Sequence, residues 1–126
     1  MAEGGKTIAV LVLRPVEDHF AELLEEVFAR HSKKVMVLVH CITLAQILSS
    51  RPDAIIVISP GEGLQERDVA NLQLLPQGVP ILLLSFWQSY DEDALALAGI
   101  IASVMELPPA HVFDIADAVN AFFVRS

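Results

Sequence analysis

The chain has 126 residues, a formal net charge of −8 and a pI near 4.8. That is one domain's worth of core and a poor match for nucleic acid or an anionic membrane surface, which are held through clustered Lys and Arg. Hydrophobic residues make up 54% of the sequence, yet every apolar run falls well short of the ~18 residues a spanning helix needs.

Cys41 is the single cysteine, which excludes an internal disulfide and a cysteine-based metal cluster. The polar start MAEGGK lacks the basic-then-apolar layout of a secretory signal. A single cytoplasmic domain over residues 1–126 is therefore expected.

In chain order, TIAVLVL (7–13) reads as a first strand, and Phe20, Leu23, Leu24, Val27 and Phe28 then follow the helical repeat, with Asp18 as its expected cap. VMVLV (35–39) is a second strand, and Thr43 is placed to cap a helix carrying Leu44, Ile47 and Leu48. AIIVIS (54–59) is a third strand, followed by a helix around Val69 and Leu72. VPILLLS (79–85) is a fourth, and Ser89-x-x-Glu92 has capping-box spacing before Ala94, Leu95 and Ala98. ASVMEL (102–107) is a weaker fifth strand, followed by a helix with Val112, Ile115, Ala116 and Val119 on one stripe. Strands without polar alternation are buried on both faces. Their alternation with helices predicts a doubly wound α/β fold of five parallel strands, order 2-1-3-4-5, with five helices. Ligands of such folds sit at the carboxyl ends of the strands, near the switch between strands 1 and 3.

RPDAIIVI, VPILLLS and AGIIASVMELPP, in that order and spacing, make the chain resemble the receiver domain of two-component response regulators over essentially its whole length. The resemblance implies an acidic pair after strand 1 for a divalent cation, an aspartate phosphoacceptor ending strand 3, a hydroxyl after strand 4 and a lysine after strand 5. Ser85 fits the hydroxyl. Pro15 and Val16 occupy the register of the acidic pair, with Glu17 and Asp18 displaced towards the first turn of helix 1, where carboxylates are favourable. Ile58 stands at the acceptor, and Glu106 stands where lysine is expected. Every lysine (Lys6, Lys33, Lys34) precedes strand 3. A carboxylate at Glu106 repels the group a lysine would attract. The aromatic switch position of strand 5 falls near Ser103. The stretch ASVMELPPAHVFDIADAV is further similar to the end of the receiver-like domain that opens flagellar master regulators of the enhancer-binding type, where an acid-x-Pro-Pro sequence also replaces lysine-proline.

Other chemistries find little support. Gly61-Glu62-Gly63 is too short for a dinucleotide fingerprint, and RPVEDHF lacks the Ser, Thr and Gly of a flavin phosphate loop. His19, His31, His40 and His111 form no i, i+4 pair for a metal. Cys41 reads as a buried, inert thiol, and no Gly-x-Ser-x-Gly elbow surrounds Ser59 or Ser85.

The expectation is thus a non-enzymatic, phosphorylation-independent pseudo-receiver with no cofactor and no metal. It would bind a protein partner or a second copy through helix 4, strand 5 and helix 5, and so regulate an attached or partner effector in signal transduction or transcription control. Trp87 and Tyr90, in the aromatic stretch SFWQSYDED, are candidate contact residues with Glu106. The alternative is a small-ligand sensor in which Arg14, Ser59 and Ser85 hold an anion. A third reading, an unorthodox phosphoacceptor, depends on Glu62 or Ser59.

Overall fold

The apolar runs line up as one parallel sheet because none of them has a polar face to give to water. The computed structural model describes residues 6–12, 18–31, 36–41, 43–59, 64–76, 78–86, 90–107 and 111–124. In chain order the elements are β1 (Lys6–Val12), α1 (Asp18–His31), β2 (Met36–Cys41), α2 (Leu44–Ser50), β3 (Ala54–Ile58), α3 (Glu66–Gln73), β4 (Ile81–Phe86), α4 (Glu92–Leu97), β5 (Ser103–Leu107) and α5 (Val112–Val124). The strand order is β2-β1-β3-β4-β5, as the alternation predicts. Among the described residues, no helix is long and apolar enough to cross a membrane.

Successive strand residues point to opposite faces and so build two cores. Ile8, Val10, Val12, Ala54, Ile56, Ile58, Leu82 and Leu84 join Leu24, Val27 and Phe28 of α1 and Ile115, Ala116 and Val119 of α5. The alternate residues Ala9, Leu11, Ile55, Val57, Ile81 and Leu83 join Cys41, Ile47 of α2 and Leu72 of α3. At about 1.5–3 kcal/mol for each large aliphatic side chain taken from water, these cores are the main favourable term.

Local chemistry fixes the element ends, not always as the sequence suggests. Thr43 caps α2 in a reciprocal box with Gln46, at 3.2 Å each way. Asp53 ties the start of β3 to β1, its carboxylate accepting from Thr7 N–H at 2.8 Å and its own N–H donating to Thr7 O at 2.7 Å. Asp18 is the first residue of α1 and so lies within its first turn, one place past the cap position. Leu23, on the expected apolar stripe, is exposed, while Leu24, Val27 and Phe28 of the same helix are buried in the core.

Ser89 lies outside the described residues, and α4 is capped by Asp91, whose carboxylate accepts from Asp93 N–H at 3.0 Å. The capping box expected between Ser89 and Glu92 thus falls outside the described residues, but one bond of the Glu92 carboxylate is described. Its Oε2 accepts from Val104 N–H of β5 at 2.8 Å, because an edge-strand donor otherwise left to water offers it a charge-assisted bond. His111 opens α5, with Nδ1 accepting from Phe113 N–H at 3.3 Å and its N–H donating to Asp114 Oδ2 at 2.9 Å.

Candidate functional site

The carboxyl ends of β1, β3, β4 and β5 form the mouth at which the resemblance puts phosphoryl chemistry. Ile58, at the acceptor position, pairs in register with Val12 on one side and Leu84 on the other. Its side chain is 0% exposed, inside the core shared with α1 and α5. An aliphatic group there has no nucleophilic atom and no path to solvent.

Beyond Ile58 the chain turns its next side chain to the opposite face. Ser59 is fully buried. Its N–H donates to Leu84 O at 3.0 Å, continuing the ladder, and its hydroxyl shares a hydrogen bond of 3.0 Å with the phenol of Tyr90. Tyr90 approaches from the segment before α4 and packs its ring on the core that includes Val57 and Leu83. A buried hydroxyl needs a partner, and the phenol is the one that bridges β3 to the α4 segment. Ser85 is also fully buried and stands beside Glu106 in the β4–β5 register.

Glu106 is half-buried, and with Tyr90, Asp91, Glu92, Asp93 and Val104 it lines an open cleft of about 420 Å³. Four carboxylates, those of Asp91, Glu92, Asp93 and Glu106, are among the described residues that line this cleft and give it a locally negative character. Among the described residues, no group of three His, Cys, Asp or Glu side chains is placed to hold a metal.

The structure therefore brings Ile58, Ser59, Ser85, Tyr90 and Glu106 to one end of the sheet. Arg14, Pro15, Val16, Glu17, Glu62 and Trp87 lie outside the described residues, and for Asp18 only the backbone is described. Tyr90, a candidate contact residue in the sequence, does not turn its ring outwards. It is instead half-buried and turned inwards, because Ser59 offers its hydroxyl a partner and the core offers its ring cover. No short-range pattern marks that pairing, since the two residues are separated by 31 positions. Burial pushes the Cys41 thiol up from its ordinary range, which keeps it protonated.

No protein-family model matches the sequence, and no curated protein is significantly similar to it. Solved structures are similar in fold. The signal receiver domain of a Luxo repressor protein from Vibrio parahaemolyticus superposes with a TM-score of 0.69 at 14% identity, over 97% of this chain and 92% of that one. A response regulator in red light signaling of R. palustris gives 0.55 at 20% identity, over 91% and 90%. A lysine decarboxylase from Francisella novicida gives 0.61 at 15% identity over 94% of this chain, which spans only 17% of that much longer protein. The sheet order, the five flanking helices and these likenesses agree on one conclusion: the chain has the fold of a response-regulator receiver domain.

Proposed function

We propose that this chain is a pseudo-receiver: a non-enzymatic, cytoplasmic signalling domain that takes up no phosphoryl group and acts by contact with a protein or a second copy. The carrying observation is Ile58, wholly buried in the core at the acceptor position. Phosphoryl transfer there would need a nucleophile, a cation to bridge the oxygens and an opposing positive charge. Ile58 supplies no nucleophile, and Glu106 carries the wrong sign. Replacing a partly buried carboxylate by an aliphatic group also removes a desolvation cost, so the domain is more stable and less switchable than one that keeps the acid.

Contact through α4, β5 and α5 is supported by how shallowly α4 sits. None of its residues is fully buried, and Leu97 is almost wholly exposed. Phe113 of α5 is also exposed, beside His111 at 4.7 Å between ring centroids. The regulated effector would be attached or in trans, in two-component signalling or transcription control. The anion-sensor alternative loses support at Ser59 and Ser85, since both hydroxyls are fully buried and that of Ser59 is bonded to Tyr90.

The test is amide NMR of the chain titrated with acetyl phosphate and magnesium. The expected result is no clustered shift at Ile58, Ser59, Ser85 or Glu106. Saturable shifts at those amides, or a mass increase of one phosphoryl group, would show the mouth to be working.

A further inference from the structure

The stretch from Tyr90 to Ile100 is anchored at its two ends and only lightly fastened between them. Tyr90 is half-buried, with its ring on the core that includes Val57 and Leu83 and its hydroxyl on Ser59 at 3.0 Å. Ile100 is 2% exposed in the same core. Between them, Leu95 is half-buried and every other residue from Asp91 to Gly99 is exposed.

Among the described residues, two side-chain bonds fasten this middle part to the rest of the fold. Gln73 Nε2 of α3 donates to Ala98 O, where the ends of α3 and α4 meet around an apolar cleft lined by Leu72, Leu75, Ile100 and Ile101. Glu92 Oε2 accepts from Val104 N–H of β5 at 2.8 Å. The helix between them, α4, has six residues, and isolated helices shorter than about 12–15 residues are marginal in water. Its persistence therefore depends on these ties and on Leu95. Next to the buried Ile100, Gly99 stands at φ 89°. Glycine reaches either sign of φ at little cost, so this joint can change shape without strain.

The Glu92 bond acts at both of its ends. β5 is the last strand of the sheet, and a bare N–H on such an edge is a template for a further strand. The carboxylate occupies that donor and holds the first turn of α4 to the sheet. Glu92 is exposed, so water competes for its bond as it does not for the buried Ser59 hydroxyl. Segments with few buried apolar contacts open locally, at lower cost than global unfolding.

We propose that residues 91–99 form a strap that opens as a unit between the anchors Tyr90 and Ile100, with the Glu92 carboxylate as its catch, and that opening uncovers the edge donor of β5. Both cores stay packed as it opens, because Leu95 is the strap's one contribution to them. The device is a property of the fold itself and holds whether or not the mouth takes a phosphoryl group.

Native-state hydrogen exchange of the full chain, read by NMR, tests it at the bonded amides of Leu95, Ala98, Gly99 and Val104. These four are expected to share one level of protection, about a hundredfold or more below that of the β1 and β3 amides. Glu92→Ala is expected to lower the protection of all four about fivefold. Unchanged protection in β1 and β3 checks that the variant is folded. Glu92→Gln keeps an acceptor oxygen and is expected to restore at least half of the loss. A mere loss of negative charge at the start of α4 would affect both variants alike and leave Val104 unmoved. That pattern would overturn the proposal, as would strap amides in the parent chain that exchange only as slowly as those of β1 and β3.

Discussion

On one face of the sheet, α1 and α5 cover a continuous core that takes in Ile58. On the other, α2 and α3 bury Ile47 and Leu72 deeply, but α4 buries no residue completely. The faces also differ at the mouth. The dense face has absorbed the acceptor position into its packing, whereas the thin face keeps the polar groups, Ser59 with Tyr90 and Ser85 with Glu106 beside it. Stability is thus concentrated where the resemblance places chemistry. The surfaces free for contact lie where packing is shallow.

The harshest way to break this contrast is Ile58→Asp, which restores the acceptor's chemistry in the dense face. Burying an unpaired carboxylate there is expected to cost about 4 kcal/mol, measured by urea unfolding at neutral pH. The loss should shrink as the pH falls and the introduced carboxyl protonates, because desolvation raises its pKa in the folded chain. A variant that keeps its stability and is labelled by acetyl phosphate would mean that the mouth is open after all.

A paired truncation measures the two faces directly. Leu24→Ala, in α1, should cost about 3 kcal/mol through lost burial and a residual cavity. Leu97→Ala, in α4, should stay within about 0.5 kcal/mol, as exposed positions do. Comparable losses for the two would show that α4 packs as deeply as α1.

Tyr90→Phe and Ser59→Ala probe the link between β3 and the α4 segment. Each should lower stability by about 1 kcal/mol, and a double-mutant cycle should return a coupling of similar size. Zero coupling would mean the hydroxyls do not meet in solution.

The smallest effect concerns Cys41 in the thin-face core. Burial raises its folded pKa, so its contribution is complete below the ordinary thiol pKa. As the pH rises past that value the unfolded chain ionises first, and stability falls until the folded thiol also ionises. Cys41→Ala should flatten this alkaline slope in thermal melts. An unchanged slope would mean the thiol is already reachable in the folded state.

Much of the architecture is legible because its cause is local or periodic. The unbroken aliphatic runs can only be strands buried on both faces, and alternating them with amphipathic helices forces right-handed crossovers. Thr43 with Gln46 is a cap over four residues of chain. Ile58 and Glu106 can be picked out by register alone, since Ile58 ends β3 and Glu106 sits opposite Ser85. The boundary at α4 is less legible. Ser89-x-x-Glu92 and Asp91 offer competing caps within a few residues, and Glu92 bonds a donor on β5 that no local pattern announces.

The sequence by itself therefore determined the class of fold, the strand order and the positions of Ile58 and Glu106 towards the carboxyl ends of their strands, because burial periodicity and side-chain identity do not depend on distant partners. Only the tertiary structure decided that Tyr90 turns inwards to Ser59, that Glu92 caps the edge of β5, and that the ends of α3 and α4 meet around an apolar cleft. Each of these joins groups far apart in the chain, and their energies exist only once the sheet has brought the groups together.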